Sequence, residues 1–308
     1  MAQSHSRDLV LPYGEPVLSG FIKSRPEDFK VTEQLGFEPS GRGEHLCIYV
    51  QKRALTTHDL IEQIAQDIGL HPRAIGYSGL KDKQAVSCQW LSLYLPGCRQ
   101  APVFAGNQHY QVLTSAWHDK KLRIGVHRSN HFELIVRHLE GQVDRLPALI
   151  EQIRLHGFAN YFGTQRFGRR GDNVQQALRA LANRHKRKRL KRAKKSLYVS
   201  TLRSELFNQI LSQRIRQGIW QRPLNGDALI LDGSQSLFNA DIDEDILRRY
   251  QDLDIHSAVS LYGLGEGRIS AKAGEIEDQI IDASPEIARL LEVLQIQRGY
   301  RAQRARAG

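Results

Sequence analysis

The apolar residues of this chain change period partway along it, and that change limits the folds open to it. Before about residue 146 they alternate. Leu46, Ile48 and Val50 stand two apart with Cys47 and Tyr49 between them, so residues 45–52 read as a buried or half-buried strand. Residues 19–33 read as strand, turn, strand: Pro26 holds Arg25 extended, and Phe29, Val31 and Glu33 share one side of the second run. Residues 36–44 are glycine-dense and read as a loop. A helix is predicted over 58–68, capped by Thr57, with Leu60, Ile61, Ile64, Ala65 and Ile68 on one face and Gly69 as its stop. Strands are predicted over 90–95, 124–126 and 132–136, with His127, Arg128, Ser129 and Asn130 joining the last two.

After residue 146 the spacing becomes helical. Leu149, Ile150 and Ile153 share a face, and helices are predicted around 173–183 and over 202–216, the latter burying Leu206, Phe207, Ile210, Leu211 and Ile215. A hairpin-like stretch runs from Asn225-Gly226 to Asp232-Gly233. The expected class is α/β (α+β), with a mixed, largely antiparallel sheet followed by a mostly helical domain. A chain of 308 residues can bury two cores. The expected domains are 1–155 and 156–297, with residues 298–308, where Arg alternates with Ala and small residues, as a frayed tail.

Composition narrows the partners. The formal net charge is +11, and a chain this basic most often meets a polyanion, nucleic acid above all. Cys47, Cys88 and Cys98 are far apart, without the paired spacing of a zinc or redox site, and the twelve histidines form no metal-binding cluster. Residues 1–7 are short and polar, unlike a signal peptide, and no window is long and apolar enough to span a bilayer. A cytoplasmic monomer without cofactor or metal is expected.

Residues 76–90 concentrate the chemistry. Asp82 lies between Lys81 and Lys83, after a glycine-rich turn and before an apolar run ending at Gln89-Trp90. Flanking ammonium groups favour an ionised carboxylate, which can serve as a nucleophile or an electrostatic stabiliser. On the tripeptide alone, a solvated turn is the simpler reading.

Gly79-Leu80-Lys81-Asp82-Lys83, followed by Ala85-Val86 and Gln89-Trp90, resembles the active-site motif of the TruD family of tRNA pseudouridine synthases. Other ordered motifs carry the same resemblance. They are Lys23 with Pro26-Glu27-Asp28-Phe29, Val31 and Glu33; Gly43-Glu44-His45 with Lys52 and Thr57; Asn130-His131-Phe132; residues 160–168, Asn-Tyr-Phe-Gly-Thr-Gln-Arg-Phe-Gly; and Ser204 with Leu206-Phe207-Asn208. The resemblance covers nearly the whole chain. It implies a tRNA substrate, conversion of the uridine at position 13 of the D-arm, and Asp82 as the catalytic residue. It also implies substrate contacts at Lys23, Glu27, Lys81, Asn130, Phe132, Asn160, Gln165 and Arg166. Such an isomerisation detaches uracil, turns it over and rejoins it through carbon, so it needs a carboxylate, donors for the loose base and a pocket for an extruded nucleotide.

Each position also has a plainer reading. Lys23 pairs with Asp82 or contacts phosphate, or it is a strand-edge lysine. Phe132 stacks on the target base or packs in the core, because Leu134 and Val136 share its side. Asn130 meets a uracil edge or shapes a turn. Gln165 and Arg166 reach phosphate, or belong to a hinge with Tyr161, Phe162 and Phe167 packed inside. Glu27 orients its neighbours by ion pairing. The run 184–195 holds nine Lys or Arg and no acid. Its Lys186, Arg187, Lys188, Arg189, Lys191 and Arg192 are expected to track the RNA backbone without reading bases, although a solvated helix face or a localisation signal would carry similar charge.

One departure stands out. The family's closing Leu-Pro-Ala-Gly-Ser-Tyr-Ala-Thr motif is absent from this sequence. The expectation is either a shortened chain or a catalytic sheet closed differently, with an open edge, an exposed apolar face and lowered stability. A tRNA-binding or chaperone protein without turnover is the alternative function. A DNA-binding regulator is disfavoured, because no helix-turn-helix or zinc-finger pattern is present.

Overall fold

The computed structural model describes residues 9–168, 170–234 and 236–307. The polar start at residues 1–7 and Gly308 of the expected tail lie outside the described residues. The chain divides into two units, Val17–Val143 and a second formed by Met1–Pro16 with Asp144–Gly308. The boundary expected near residue 155 therefore falls at Val143, and the helix that follows goes with the later unit.

Val17–Val143 holds β1 (Leu18–Phe21), β2 (Phe29–Leu35), β3 (His45–Arg53), α1 (Thr57–Asp67), β4 (Ile75–Tyr77), β5 (Val86–Tyr94), β6 (Tyr110–His118), β7 (His127–Leu134) and β8 (Arg137–Gly141). Its six-stranded sheet runs β6-β3-β5-β2-β7, with β4 also paired to β5. Only β2 and β5 are parallel; the other pairs are antiparallel. Strands β1 and β8 form a separate two-stranded ladder. The core follows from the two periods seen in the sequence. Leu46, Ile48 and Val50 face Leu60, Ile61 and Ile64 of α1, with Leu91 and Leu93 of β5 beside them. Each such side chain, fully buried, contributes about 1.5–3 kcal/mol of transfer free energy.

Three local expectations change. Thr56, not Thr57, caps α1, through a reciprocal capping box with Asp59. This frees Thr57 to point inward, where it is buried. Residues 124–126 are not a strand; β7 begins at His127 and takes in the residues expected to join two strands. Strand β6 has no counterpart among the sequence expectations. Its burial alternates too weakly to announce it.

The second unit contains α2 (Leu146–His156), β9 (Phe158–Ala159), α3 (Thr164–Phe167), α4 (Asn173–Ala182), α5 (Arg184–Arg189) and α6 (Arg192–Arg216). Then follow β10 (Ala228–Leu231), β11 (Leu237–Asn239), α7 (Glu244–Gln251), β12 (Ile255–Leu261), α8 (Ala271–Asp282), α9 (Pro285–Val293), β13 (Gly299–Ala302) and β14 (Arg304–Ala305). Helix α6 is its axis. Leu202 and Leu206 pack with residues of α4 and α9, and Phe207, Ile210 and Leu211 pack toward Val259 of β12. An antiparallel sheet β11-β10-β12-β13 lies in the same unit. Arg214 grips Asp227 through two 2.8 Å bonds, both side chains buried, and Ser257 donates to Asp227 at 2.6 Å.

Residues 299–305 of the expected tail do not fray. β13 pairs with β12 and β14 with β9. Arg304 is buried, donating to the Tyr250 carbonyl at 2.7 Å with its guanidinium 4.2 Å from that ring's centroid. Alternating arginines here supply hydrogen bonds and ring contacts rather than a solvated chain. Among the described residues, no helix is long and apolar enough to cross a membrane.

Candidate active site

The Asp82 loop joins β4 to β5, and three neighbouring elements hold its backbone. Thr57, at the start of α1, accepts from Lys81 N at 2.9 Å, and its hydroxyl donates to Gln89 Oε1 of β5 at 3.0 Å. The segment before β7 contributes Gly125 N, 2.7 Å from the Ser78 carbonyl. Lys52, on β3, holds the loop from another side. Its side chain is buried, and Nζ donates to Leu55 O at 2.6 Å and to Asp82 O at 2.8 Å. Burial pushes the Lys52 ammonium down to about 8, opposed in smaller part by the Asp82 charge and reinforced by Lys81.

The side chain of Asp82 stays half exposed and forms an ion pair with Lys23. Lys23 has φ +59°, a conformation that side-chain-bearing residues seldom adopt, and its ammonium lies 4.0 Å from the Phe29 ring centroid. The turn between Lys23 and Phe29 is braced by Asp28, a motif residue to which the sequence assigned no role. Its buried carboxylate takes two bonds from Arg137 of β8, at 2.7 and 2.8 Å, and one from Arg25 N at 3.1 Å. The hydrogen bonds from Arg137 hold the Asp28 carboxyl below its ordinary value.

Asp82 opens onto a cleft of about 180 Å³ lined by Phe29, Val31, Gly79, Leu80, Lys81, Asp82, His127, Asn130 and Phe132. Of the expected contacts, Asn130 and Phe132 reach this cleft. Phe132 remains 53% exposed, with the Phe29 ring beside it at 6.0 Å, so it is not the core residue its strand parity equally allowed. The Asn130 side-chain oxygen is buried and has no hydrogen-bond partner among the described residues. Lys81 lines the cleft, but its ammonium is buried in an ion pair with Glu33, whose other oxygen accepts from Trp90 N at 3.0 Å. This pair ties the loop to β2 and β5. Glu27 forms an ion pair with Arg53.

Asn160, Gln165 and Arg166 belong to the second unit. Asn160 donates to Ala302 O at 2.9 Å and also bonds Arg301, so it anchors β13. Gln165 is exposed on α3. Arg166 lies 5.7 Å from the Phe162 ring centroid, and Phe167 is core. The basic run forms α5, capped by Asn183, and the first turns of α6. Lys186, Lys188, Arg189, Lys191 and Arg192 are exposed; Arg187 is partly buried and donates to the Leu181 carbonyl at 3.4 Å.

Lys52 and His127 are the site residues that sequence reasoning left without a role. Lys52 did carry a signal, because it continues the side of β3 occupied by Leu46, Ile48 and Val50.

Comparison with known proteins places the chain in a family. The model of the family described as tRNA pseudouridine synthase D (TruD) matches residues 11–185 and 170–288. The tRNA pseudouridine synthase D of Methylococcus capsulatus is 41% identical over 300 residues, covering 96% of this chain and 84% of that protein. The enzyme of the same name from Proteus mirabilis is 41% identical over 265 residues, covering 85% of this chain and 75% of that one. The crystal structure of a putative tRNA pseudouridine synthase D from Methanosarcina mazei superposes with a TM-score of 0.74, at 19% identity, over 96% of this chain and 86% of that chain.

Proposed function

The chain belongs to the tRNA pseudouridine synthase D family, and from that premise we propose that this tRNA pseudouridine synthase uses Asp82 as its nucleophile on the uridine at position 13 of the D-arm. The observation that carries the reading is the placement of Asp82. Its carboxylate is held by Lys23 at the mouth of a cleft that also presents Phe132 and Asn130.

An extruded uridine entering the cleft loses its stacking in the RNA, and the exposed Phe132 ring replaces it. Lys23 orients the Asp82 carboxylate for attack, while Lys52 and Thr57 fix the loop backbone so that the carboxylate arrives in one geometry. The N-glycosidic bond then breaks and the free uracil turns within the cleft. Asn130 offers both a donor and an acceptor to the base while it is unattached. Rejoining forms a C1′–C5 bond in place of C1′–N1 and releases Asp82; C5 then loses its proton and N1 gains one, so the product is an isomer and no redox equivalent is consumed. The exposed cations of α5 and α6 suit a phosphate backbone, which sets affinity without sequence.

The test is Asp82→Asn. Unmodified tRNA is incubated with wild type and variant, pseudouridine is mapped by chemical labelling, and tRNA binding is measured in parallel. Product from wild type alone, at position 13, with equal binding, is the expected result. Product from the variant would refute Asp82 as nucleophile, and product at another position would refute the target.

A further inference from the structure

Strand β7 enters its sheet through a bulge. Leu134, Phe132 and Asn130 stand opposite Phe29, Val31 and Glu33, but the register slips between Gln34 and Leu35, and His127 rather than Arg128 stands opposite Leu35. Side chains alternate along a strand, so an unbroken ladder would put Arg128 on the face of Asn130 and send His127 to the other. The extra residue reverses that assignment. His127 thus lines the cleft with Asn130 and Asp82. Its ring lies against the Asp82 loop, with Cε1 3.4 Å from where a Cβ on Gly79 would stand. The His127 Nδ1 is buried and, like the Asn130 side-chain oxygen, has no hydrogen-bond partner among the described residues. Polar atoms in that state are costly unless something enters to pair with them. His127 and Asn130 both line this cleft, so a base entering it finds a donor and an acceptor that no protein group occupies.

We propose that His127 reads the target base: Asn130 accepts from the uracil N3–H while His127 Nδ1–H donates to an adjacent ring carbonyl. This rests on the reading of Asp82 as nucleophile toward uridine in the same cleft. Uracil offers a donor flanked by two acceptors, and an amide oxygen beside an imidazole N–H complements two neighbouring positions of that edge. Cytosine has no proton on N3 and would leave the Asn130 oxygen unpaired. The bulge therefore helps to select the base as well as to shape the strand.

The test uses the full chain and an unmodified tRNA transcript, with His127→Leu, His127→Asn and Asp82→Asn made in parallel. Leucine removes the donor, whereas asparagine keeps an N–H near the place of Nδ1. His127→Leu is expected to lose about tenfold in kcat/KM, mostly in kcat, because one hydrogen bond to the base is removed. Its tRNA affinity and melting temperature should match wild type, and His127→Asn should recover most of the rate. Wild-type kinetics in His127→Leu, with Asp82→Asn inactive, would overturn the role of His127 and leave that of Asp82 standing. Equal losses in both His127 variants with a lowered melting temperature would make the residue structural and also overturn it. Turnover by Asp82→Asn would instead overturn the underlying reading.

Discussion

Replacing Lys52 with methionine separates the two things a buried ammonium does, and the separation depends on pH. Methionine keeps the stem and loses the donor, so the Leu55 and Asp82 carbonyls lose the bonds of 2.6 and 2.8 Å that Lys52 gives them. Each buried carbonyl left without a partner costs about 1–3 kcal/mol. Against this, wild type carries the cost of burying a charge. The Lys52 ammonium drops from its ordinary 10.5 to about 8, and at 1.36 kcal/mol per pH unit that costs roughly 3 kcal/mol. Near pH 7 the two effects largely cancel, and the variant should lie within about 2 kcal/mol of wild type. Above pH 8 the balance shifts. The folded protein releases the Lys52 proton before the unfolded chain does, so the unfolded state binds more protons and wild-type stability rises with pH. A neutral amine still has two N–H groups for two carbonyls. The gap between wild type and Lys52→Met should therefore widen by about 2 kcal/mol between pH 7 and pH 10. Urea unfolding of both proteins at each pH measures it. A gap that stays constant or narrows would refute the account of Lys52 as a buried cation whose bonds outlast its charge.

Other consequences follow from the same geometry. Lys81→Met strands the buried Glu33 carboxylate and should cost about 3–5 kcal/mol in urea unfolding, while adding Glu33→Gln should recover much of that loss. Exchanging Lys186, Lys188 and Lys191 for glutamine should weaken tRNA binding and flatten the dependence of log affinity on log salt by roughly two to three units, with kcat at saturating tRNA unchanged; an unchanged slope would show that α5 and α6 do not meet the RNA.

What the sequence disclosed follows the reach of each interaction. Periodicity is local, so β3, α1 and the apolar face of α6 were legible. The Asp82 motif and the Phe132 strand were legible as a resemblance, but the exposure of Phe132 was not, because it depends on what the rest of the fold leaves uncovered. The sequence put His127 in a connection between two strands; that it begins β7, on the side of the cleft, follows from a bulge in the pairing with β2, which no run of letters in β7 displays. The arginines after residue 298 look solvated from composition alone. Arg304 is buried because Tyr250, far away in sequence, supplies both a carbonyl and a ring. Lys52 showed its parity and hid its purpose, since its partners lie in a loop on another element.

The connectivity of the two units has a consequence for how the chain acquires its structure. Residues 9–16 belong with the later unit, where Val10 O accepts from Tyr161 at 2.9 Å and Tyr13 donates to Gly157 O at 2.5 Å. Joining them requires closing a loop that contains all of Val17–Val143. That segment begins and ends in one ladder, with Leu18 paired to Gly141. If it folds first, its ends are already side by side and the loop shrinks to a few residues. Each halving of loop length spares about 0.6 kcal/mol of closure entropy. On that order of events Val17–Val143 matures from contiguous chain, and joining residues 9–16 to the later unit costs little further entropy.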